Sequence, residues 1–344
     1  MADGRFAAVQ EPRAAPPAWQ LARLMDGFVV TQLLYVTAKL GVVDVLAEGP
    51  RSGPDVAAAV GAHPGHLTRV LRGLVTENVL AEDADGRFGL NPLGAAFREM
   101  QGAVVARGEL YYQAAGALLD AVREGGVAFE HRHGRSFFDH LRDHPGQEAA
   151  FHASMAVRAR QEADDVIDAY DFGGLRRLVD VGGGNGVLLA GVLRANGSLQ
   201  GTLLDREAVI PAAEAHLAAA GVGARARCVA GDFFDDVPDG ADVYVLSRVL
   251  HDWDDDAAGR ILAVCRRRMA SRSRLLVVDA ILPERAEDGP ATVRMDLHML
   301  LLFGARERTE AELRDLLRGA DLVLQRRIDT RSPAGRAVLE AVPA

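Results

Sequence analysis

His251 stands near the end of the run Val245-Leu246-Ser247-Arg248-Val249-Leu250-His251-Asp252-Trp253, whose apolar start reads as a buried strand. An imidazole takes and returns protons near neutral pH. A carboxylate partner fixes its tautomer and stabilises the cation formed when it accepts one. Two acids could serve as that partner: Asp279, at the end of the next apolar run, and Glu307, in Gly304-Ala305-Arg306-Glu307-Arg308-Thr309. A lone histidine beside an apolar run is more often structural. Two acids able to hydrogen-bond to the imidazole or support it shift the balance toward proton transfer.

A second constellation lies upstream, in Leu178 to Gly186, reading LVDVGGGNG. A short apolar, β-branched run breaks into glycines and is followed by a helix-forming segment, Val187 to Arg194. Strand, tight turn and helix N-terminus form the place where α/β folds bind nucleotide-like ligands. Gly182, Gly184 and Gly186 are spaced G-x-G-x-G, and Val187 occupies the last glycine position of a dinucleotide fingerprint. That register fits S-adenosylmethionine better than NAD. Asp205 ends the following apolar run, where an acid can accept hydrogen bonds from ribose hydroxyls; otherwise it is a helix cap or a turn acid. In Gly231-Asp232-Phe233-Phe234, Asp232 could accept from an adenine amino group with Phe233 against the ring. The plainer reading of that tetrad is an Asp turn with a core Phe.

The elements that must position these groups alternate. Strands are expected at Leu178–Val181, Thr202–Leu204, Ala226–Val229, Val243–Leu246 and Leu275–Val278, with helices between them. A closing pair, Val323–Ile328 and Arg336–Ala341, turns at Ser332-Pro333-Ala334-Gly335. Apolar runs alternating with helices imply a parallel sheet, and the hairpin-like finish implies an antiparallel edge. The fold class is therefore α/β, a Rossmann-like sheet with an antiparallel last strand, preceded by a mostly helical domain.

That first domain reads helix, helix, hairpin. Leu21, Leu24, Met25, Phe28, Val29 and Leu33 recur at helical spacing and form one apolar face. Helices over Pro54–Val60 and His66–Glu77 precede two short strands, Asn78–Leu80 and Arg87–Leu90, about Asp83-Ala84-Asp85-Gly86. This is the winged-helix order, but a DNA-reading second helix should be basic. His66–Glu77 offers only Arg69 and Arg72, and the wing Glu82-Asp83-Ala84-Asp85 is acidic, so dimerisation or a substrate lid is the better reading. Residues 1–17 read as a flexible tail, 18–100 as this domain, 101–170 as a helical bridge contributing to a substrate pocket, and 171–344 as the cofactor-binding domain.

Composition narrows the partners. The chain has 344 residues, 49% apolar and 25% charged, ordinary for a soluble globular protein. A net charge of −9 disfavours nucleic acid and anionic membranes. Cys228 and Cys265 both lie in apolar segments that read as core, and two cysteines give neither a disulfide framework nor zinc spacing. With no apolar leader and no run long enough to span a bilayer, a cytoplasmic location is expected. No metal is expected either, since the only dense acid cluster, Asp254 to Asp256, reads as a solvated helix N-terminus. Lys39 is the only lysine beside abundant arginine and alanine, the coding bias of a GC-rich bacterial genome.

LVDVGGGNG, GDFF, HDW, AILPE and GARERT, in that order, resemble the plant-type small-molecule O-methyltransferases and their bacterial relatives in natural-product biosynthesis. The resemblance spans about residues 20 to 340. It implies a class I methyltransferase sheet with an N-terminal winged-helix dimerisation domain, S-adenosylmethionine as cofactor, a homodimer formed through the N-terminal domain, and an aromatic small-molecule substrate. By position it implies cofactor contacts at Gly182, Gly184, Asp205, Asp232, Phe233, Ser247, Arg248 and Trp253. It gives His251 the role of base, with Asp279 and Glu307 orienting it. Plant members usually carry Lys at the Ser247 position and Glu at the Asp279 position, so those two roles differ here. Met155, Met295, Met299 and Phe303 fall in segments that line the acceptor pocket, although the last three also sit at helical spacing that suits core. The implied reaction is methylation of a phenolic hydroxyl of an aromatic or polyketide-type metabolite. Its rivals are a non-methylating tailoring reaction on the same fold and, less favoured, a winged-helix DNA-binding regulator.

Overall fold

The computed structural model describes residues 16–332 and 334–344, so the expected tail lies largely outside the described residues. The chain forms two compact units that divide between residues 157 and 158, inside a long helix.

The N-terminal unit begins with α1 (Pro17–Met25), α2 (Gly27–Lys39) and α3 (Val42–Ala47). The two-residue strand β1 (Arg51–Ser52) leads into α4 (Gly53–Val60) and α5 (Pro64–Thr76), each with a proline in its first turn. The hairpin β2 (Leu80–Glu82) and β3 (Arg87–Leu90) follows, and the small sheet has the order β1-β3-β2. The expected helix-helix-hairpin order is present, with the first wing strand two residues further on than the sequence suggested. In the wing, Asp83 accepts hydrogen bonds from the backbone of Asp85 and Arg87, and Arg87 pairs with Asp83 and Asp85. Arg72 of α5 pairs with Glu82.

Short helices follow: α6 (Pro92–Glu99), α7 (Gln101–Ala106), a π turn (Arg107–Tyr111), α8 (Tyr112–Ala115), α9 (Leu118–Glu124), α10 (Ala128–His133) and α11 (Phe137–Arg142). The 25-residue α12 (Pro145–Ala169) carries the chain into the second unit. Val42, Val43, Leu46, Val56, Leu67, Leu71, Leu74 and Phe88 form the core of the first unit. The apolar face of α1 and early α2 does not join it: Trp19 is 72% exposed, Leu24 77% and Phe28 56%.

In the C-terminal unit, the strands are β4 (Arg177–Val181), β5 (Gln200–Asp205), β6 (Ala226–Ala230), β7 (Val243–Ser247), β8 (Arg274–Leu282), β9 (Arg308–Thr309), β10 (Leu322–Asp329) and β11 (Arg336–Pro343). Helices α13 (Val187–Ala195), α14 (Ile210–Ala219), α15 (Asp255–Arg268), α16 (Pro290–Leu302) and α17 (Glu310–Gly319) lie between them. The sheet order is β10-β11-β8-β7-β4-β5-β6, with β9 pairing off β8. Pairs among β4 to β8 are parallel, while β11 runs antiparallel to both β8 and β10. One face is covered by a core including Ile261, Leu262, Cys265 and Leu317, the other by one including Val166, Tyr170, Leu189, Leu193 and Leu217. Cys265 is buried as expected; Cys228 is only half-buried, because β6 is the edge strand.

This order reverses direction beside β4. The first two parallel neighbours of β4 are β5 and β7, so the carboxyl ends of β4, β5 and β7 open together at the switch point where α/β sheets bind ligands.

Candidate active site

At the end of β4 the chain turns through glycines into α13. Gly182 (φ 71°) and Gly184 (φ 57°) both hold left-handed backbone that favours glycine. They serve different ends. A side chain on Gly182 would strike Val249 at 2.9 Å and crowd Phe233, whereas one on Gly184 would enter open space. Gly184 is thus the point where a ligand can approach the backbone. Its N–H donates to Asp205 Oδ2 at 2.8 Å, and the Arg206 N–H donates to Oδ1 at 2.7 Å. The half-buried Asp205 carboxylate is thereby fixed at the end of β5 against the turn, with lone pairs to spare.

Asp180, which sequence reasoning passed over, sits beneath this turn. Both of its oxygens are buried without a hydrogen-bond partner, and its carboxyl is pushed up to about 7, first by burial and then by Asp205. A hypothetical Cβ on Gly183 would lie 2.6 Å from Asp180 Oδ2, so only glycine clears it. The signal was present: an acid inside an otherwise apolar strand needs a partner.

Asp232 is exposed and accepts the Phe234 N–H at 2.8 Å, the turn reading, while Phe233 lies half-buried beside Gly182. Trp253 meets Phe234 edge-on at 4.7 Å between ring centres. Ser247 is half-buried at the end of β7. Arg248 takes left-handed backbone (φ 58°) and directs its guanidinium onto Glu162 at 3.2 Å. Glu162 is buried and also receives Arg336 at 2.6 Å, so Arg248 has a structural ion pair that the sequence did not foretell.

The turn Leu250–Asp252 after β7 carries His251, which is 8% exposed. His251 Nδ1 lies 3.2 Å from Glu307 Oε1, and Nε2 lies 3.5 Å from Asp252. Asp279, expected at a strand end, instead lies within β8, which runs on to Leu282 because its end pairs with β9. It is buried with Oδ1 unpartnered among the described residues, and its charge acts on the ring. Burial alone would lower the imidazole pKa. The Glu307 hydrogen bond and the charges of Asp279 and Asp252 oppose it and raise the ring to about 9. Asp279 is pushed up to about 7 by burial, with His251 pulling the other way and Glu307 pushing with it. The structure therefore brings His251, Asp279 and Glu307 into one buried cluster, with Glu307 as the direct partner.

Met295 is half-buried and Met299 buried on α16, with Phe303 half-buried just past its end. Met155, half-buried on α12, belongs to the N-terminal unit. Asp254 accepts the Ala257 N–H at 2.8 Å and caps α15. No group of three or more His, Cys, Asp or Glu side chains among the described residues is arranged to hold a metal ion. No helix among them is long and apolar enough to cross a membrane.

Residues 116–322 match the model of the O-methyltransferase domain, and residues 22–99 that of the O-methyltransferase dimerisation domain. The chain belongs to this O-methyltransferase family. The family is S-adenosylmethionine-dependent, and its homologues here are bacterial and biosynthetic. The chain is 40% identical over 335 residues to the phenazine O-methyltransferase of Lysobacter antibioticus, covering 96% of this chain and 97% of that one. It is 39% identical to the 8-amino-8-demethylriboflavin N,N-dimethyltransferase of Streptomyces davaonensis, covering 91% and 94%. Among solved structures, an O-methyltransferase from neocarzinostatin biosynthesis, in complex with S-adenosylmethionine and 2-hydroxy-5-methyl naphthoic acid, superposes with TM-score 0.79 at 34% identity over 96% of this chain and all of that one. The family thus includes methylation at nitrogen as well as oxygen.

Within it, the glycine turn suits the cofactor. Asp180 offers buried carboxyl oxygens with no hydrogen-bond partner among the described residues, Gly184 an open approach, and Asp205 a fixed acceptor pair at the strand end.

Proposed function

We propose that this protein transfers a methyl group from S-adenosylmethionine to a phenolic hydroxyl of an aromatic or polyketide-type secondary metabolite, with His251 as general base, and works as a homodimer formed through its N-terminal domain. The observation that carries this reading is the buried His251–Glu307 pair at the same sheet edge as the glycine turn. Gly182, Gly184, Asp205, Asp232, Phe233, Ser247 and Trp253 would hold the cofactor, Asp180 its ammonium group, and Met295, Met299 and Phe303 the aromatic acceptor. Bound, the cofactor supplies an electrophilic methyl on a sulfonium centre.

The protein's own part is proton handling and alignment. A phenol with a pKa of about 10 is mostly protonated at neutral pH, so removing its proton raises its nucleophilicity. His251 accepts that proton at Nε2 while Glu307 holds Nδ1 and stabilises the imidazolium. With its pKa near 9 in the ligand-free protein, the ring is charged at neutral pH, and a cationic ligand beside it shifts it toward the neutral, basic form. Holding oxygen and methyl in line supplies much of the rate, on the order of 7–11 kcal/mol in well-oriented systems.

The streptomycete N,N-dimethyltransferase relative supports a second reading, an aromatic amine as acceptor. Incubation with labelled cofactor and a panel of hydroxylated and aminated aromatics separates the two by which ring substituent gains the label. His251→Ala should abolish transfer to a phenol with cofactor affinity nearly intact; retained turnover would refute the base assignment. Asp205→Ala and Asp180→Asn should each weaken cofactor binding in calorimetry, and unchanged affinity would displace those residues from the site.

A further inference from the structure

The direct partner of His251 is Glu307, and the next residue in the chain is a fully buried arginine. Arg308 is 2% exposed, and its side chain turns back toward the histidine loop. Nη1 donates to the Leu250 carbonyl at 2.8 Å and Nη2 to the Trp253 carbonyl at 2.6 Å. These two carbonyls bracket the turn that carries His251. Nε donates to Asp255 Oδ1 at 2.9 Å, which gives the buried cation its counter-charge. Beside it, the Arg306 N–H donates to the His251 carbonyl at 3.3 Å.

The segment that does this is itself anchored. Arg308 and Thr309 form β9, paired in parallel with Ile281 and Leu282 of β8. The Glu307 N–H donates to Asp296 of α16 at 2.9 Å, and a capping box between Thr309 and Glu312 starts α17 immediately behind. Three consecutive residues, 306 to 308, therefore hold both the carboxylate that meets the imidazole and the main chain on which the imidazole is mounted.

We infer that Arg308 is a positioning residue for the proposed base, clamping the loop on either side of His251 so that the ring stays within hydrogen-bond reach of Glu307. The inference rests on the reading of His251 as the base. A planar guanidinium suits the task because its fork reaches two carbonyls and a carboxylate in fixed directions, which a lysine ammonium cannot do. Displacement of a catalytic group by about 1 Å can cost as much as a hundredfold in rate. A clamp on the main chain is thus worth more to turnover than to ligand affinity.

The test uses Arg308→Lys and Arg308→Gln in the full chain. The deciding readout is the NMR titration of the His251 ring in the ligand-free protein, where it faces Asp252, Asp279 and Glu307. A loosened Glu307 contact should lower the His251 pKa by about one unit, toward the ordinary value of about 6.5. On the acceptor selected by the aromatic panel, kcat should fall about tenfold or more, with calorimetric affinity for S-adenosylmethionine nearly unchanged. A His251 titration like that of wild type in both variants would overturn the inference. So would failure of both variants to fold, which would make Arg308 a residue of stability alone. If His251→Ala keeps its turnover while the Arg308 variants shift the titration, the base assignment fails and the clamp on the imidazole stands.

Discussion

A histidine facing three carboxylates holds its proton more tightly than a free imidazole, and this sets the pH at which it can act as a base. His251 rises to about 9 because Glu307, Asp279 and Asp252 together outweigh burial. Its folded pKa lies above the unfolded value of about 6.5, so the stability it contributes is complete below that pH and is lost as pH rises through about 9. Asp279, raised to about 7, likewise contributes stability that is present below about 4 and lost as pH climbs through 7. Replacing Asp279 by Asn removes one of the charges supporting the imidazolium. The His251 titration should then move below 9, and the rising limb of turnover against pH should move the same way. An unmoved profile would mean that Asp279 does not act on the ring. The His251–Glu307 pairing was open to sequence reasoning because each residue falls in a recognisable run, HDW and GARERT. Their pKa values were not, because they depend on burial and on charges brought together over 56 residues of chain.

At the level of elements, the strands were the most legible feature, since apolar β-branched runs bounded by glycine and aspartate leave few alternatives. The observed strands extend the expected ones by a residue or two in most cases, and by more on β8, whose end pairs with β9. Arg308 was opaque for the opposite reason: two of its three partners are main-chain carbonyls, and the third, Asp255, lies 53 residues away with no local pattern to announce it. The acid run Asp254 to Asp256, read from the sequence as a helix N-terminus, is one. Its first member caps α15, the other two sit in that helix's first turn, and Arg266 to Arg268 complement the opposite end. Asp254→Ala should therefore cost about 1 kcal/mol of stability in denaturant unfolding, the usual cost of a lost N-cap. The His251 titration should stay where it is. A shift in that titration would show that the cap also shapes the active-site loop.

Across the whole molecule, one surface calls for a covering. Trp19, Leu21, Leu24, Met25 and Phe28 are all more than half exposed along α1 and the start of α2, and all but Trp19 belong to the face that sequence periodicity picked out as apolar. Contiguous apolar surface of this kind marks an interaction site, because water solvates it at a cost that a partner removes. The dimerisation-domain match over residues 22–99 includes Leu24, Met25 and Phe28, so a second copy of the chain is the expected cover. A closed two-fold dimer would place the same patch on both sides of the interface. Two glutamates in this patch, one on α1 and one on α2, would put like charges opposite each other there, which destabilises the pair far more than it disturbs residues already in water. Leu24→Glu combined with Phe28→Glu should convert a sedimenting dimer into a monomer, while far-UV circular dichroism stays that of the wild type. If the doubly substituted chain still sediments as a dimer, the interface lies on another face and the exposed α1 surface answers to a different partner.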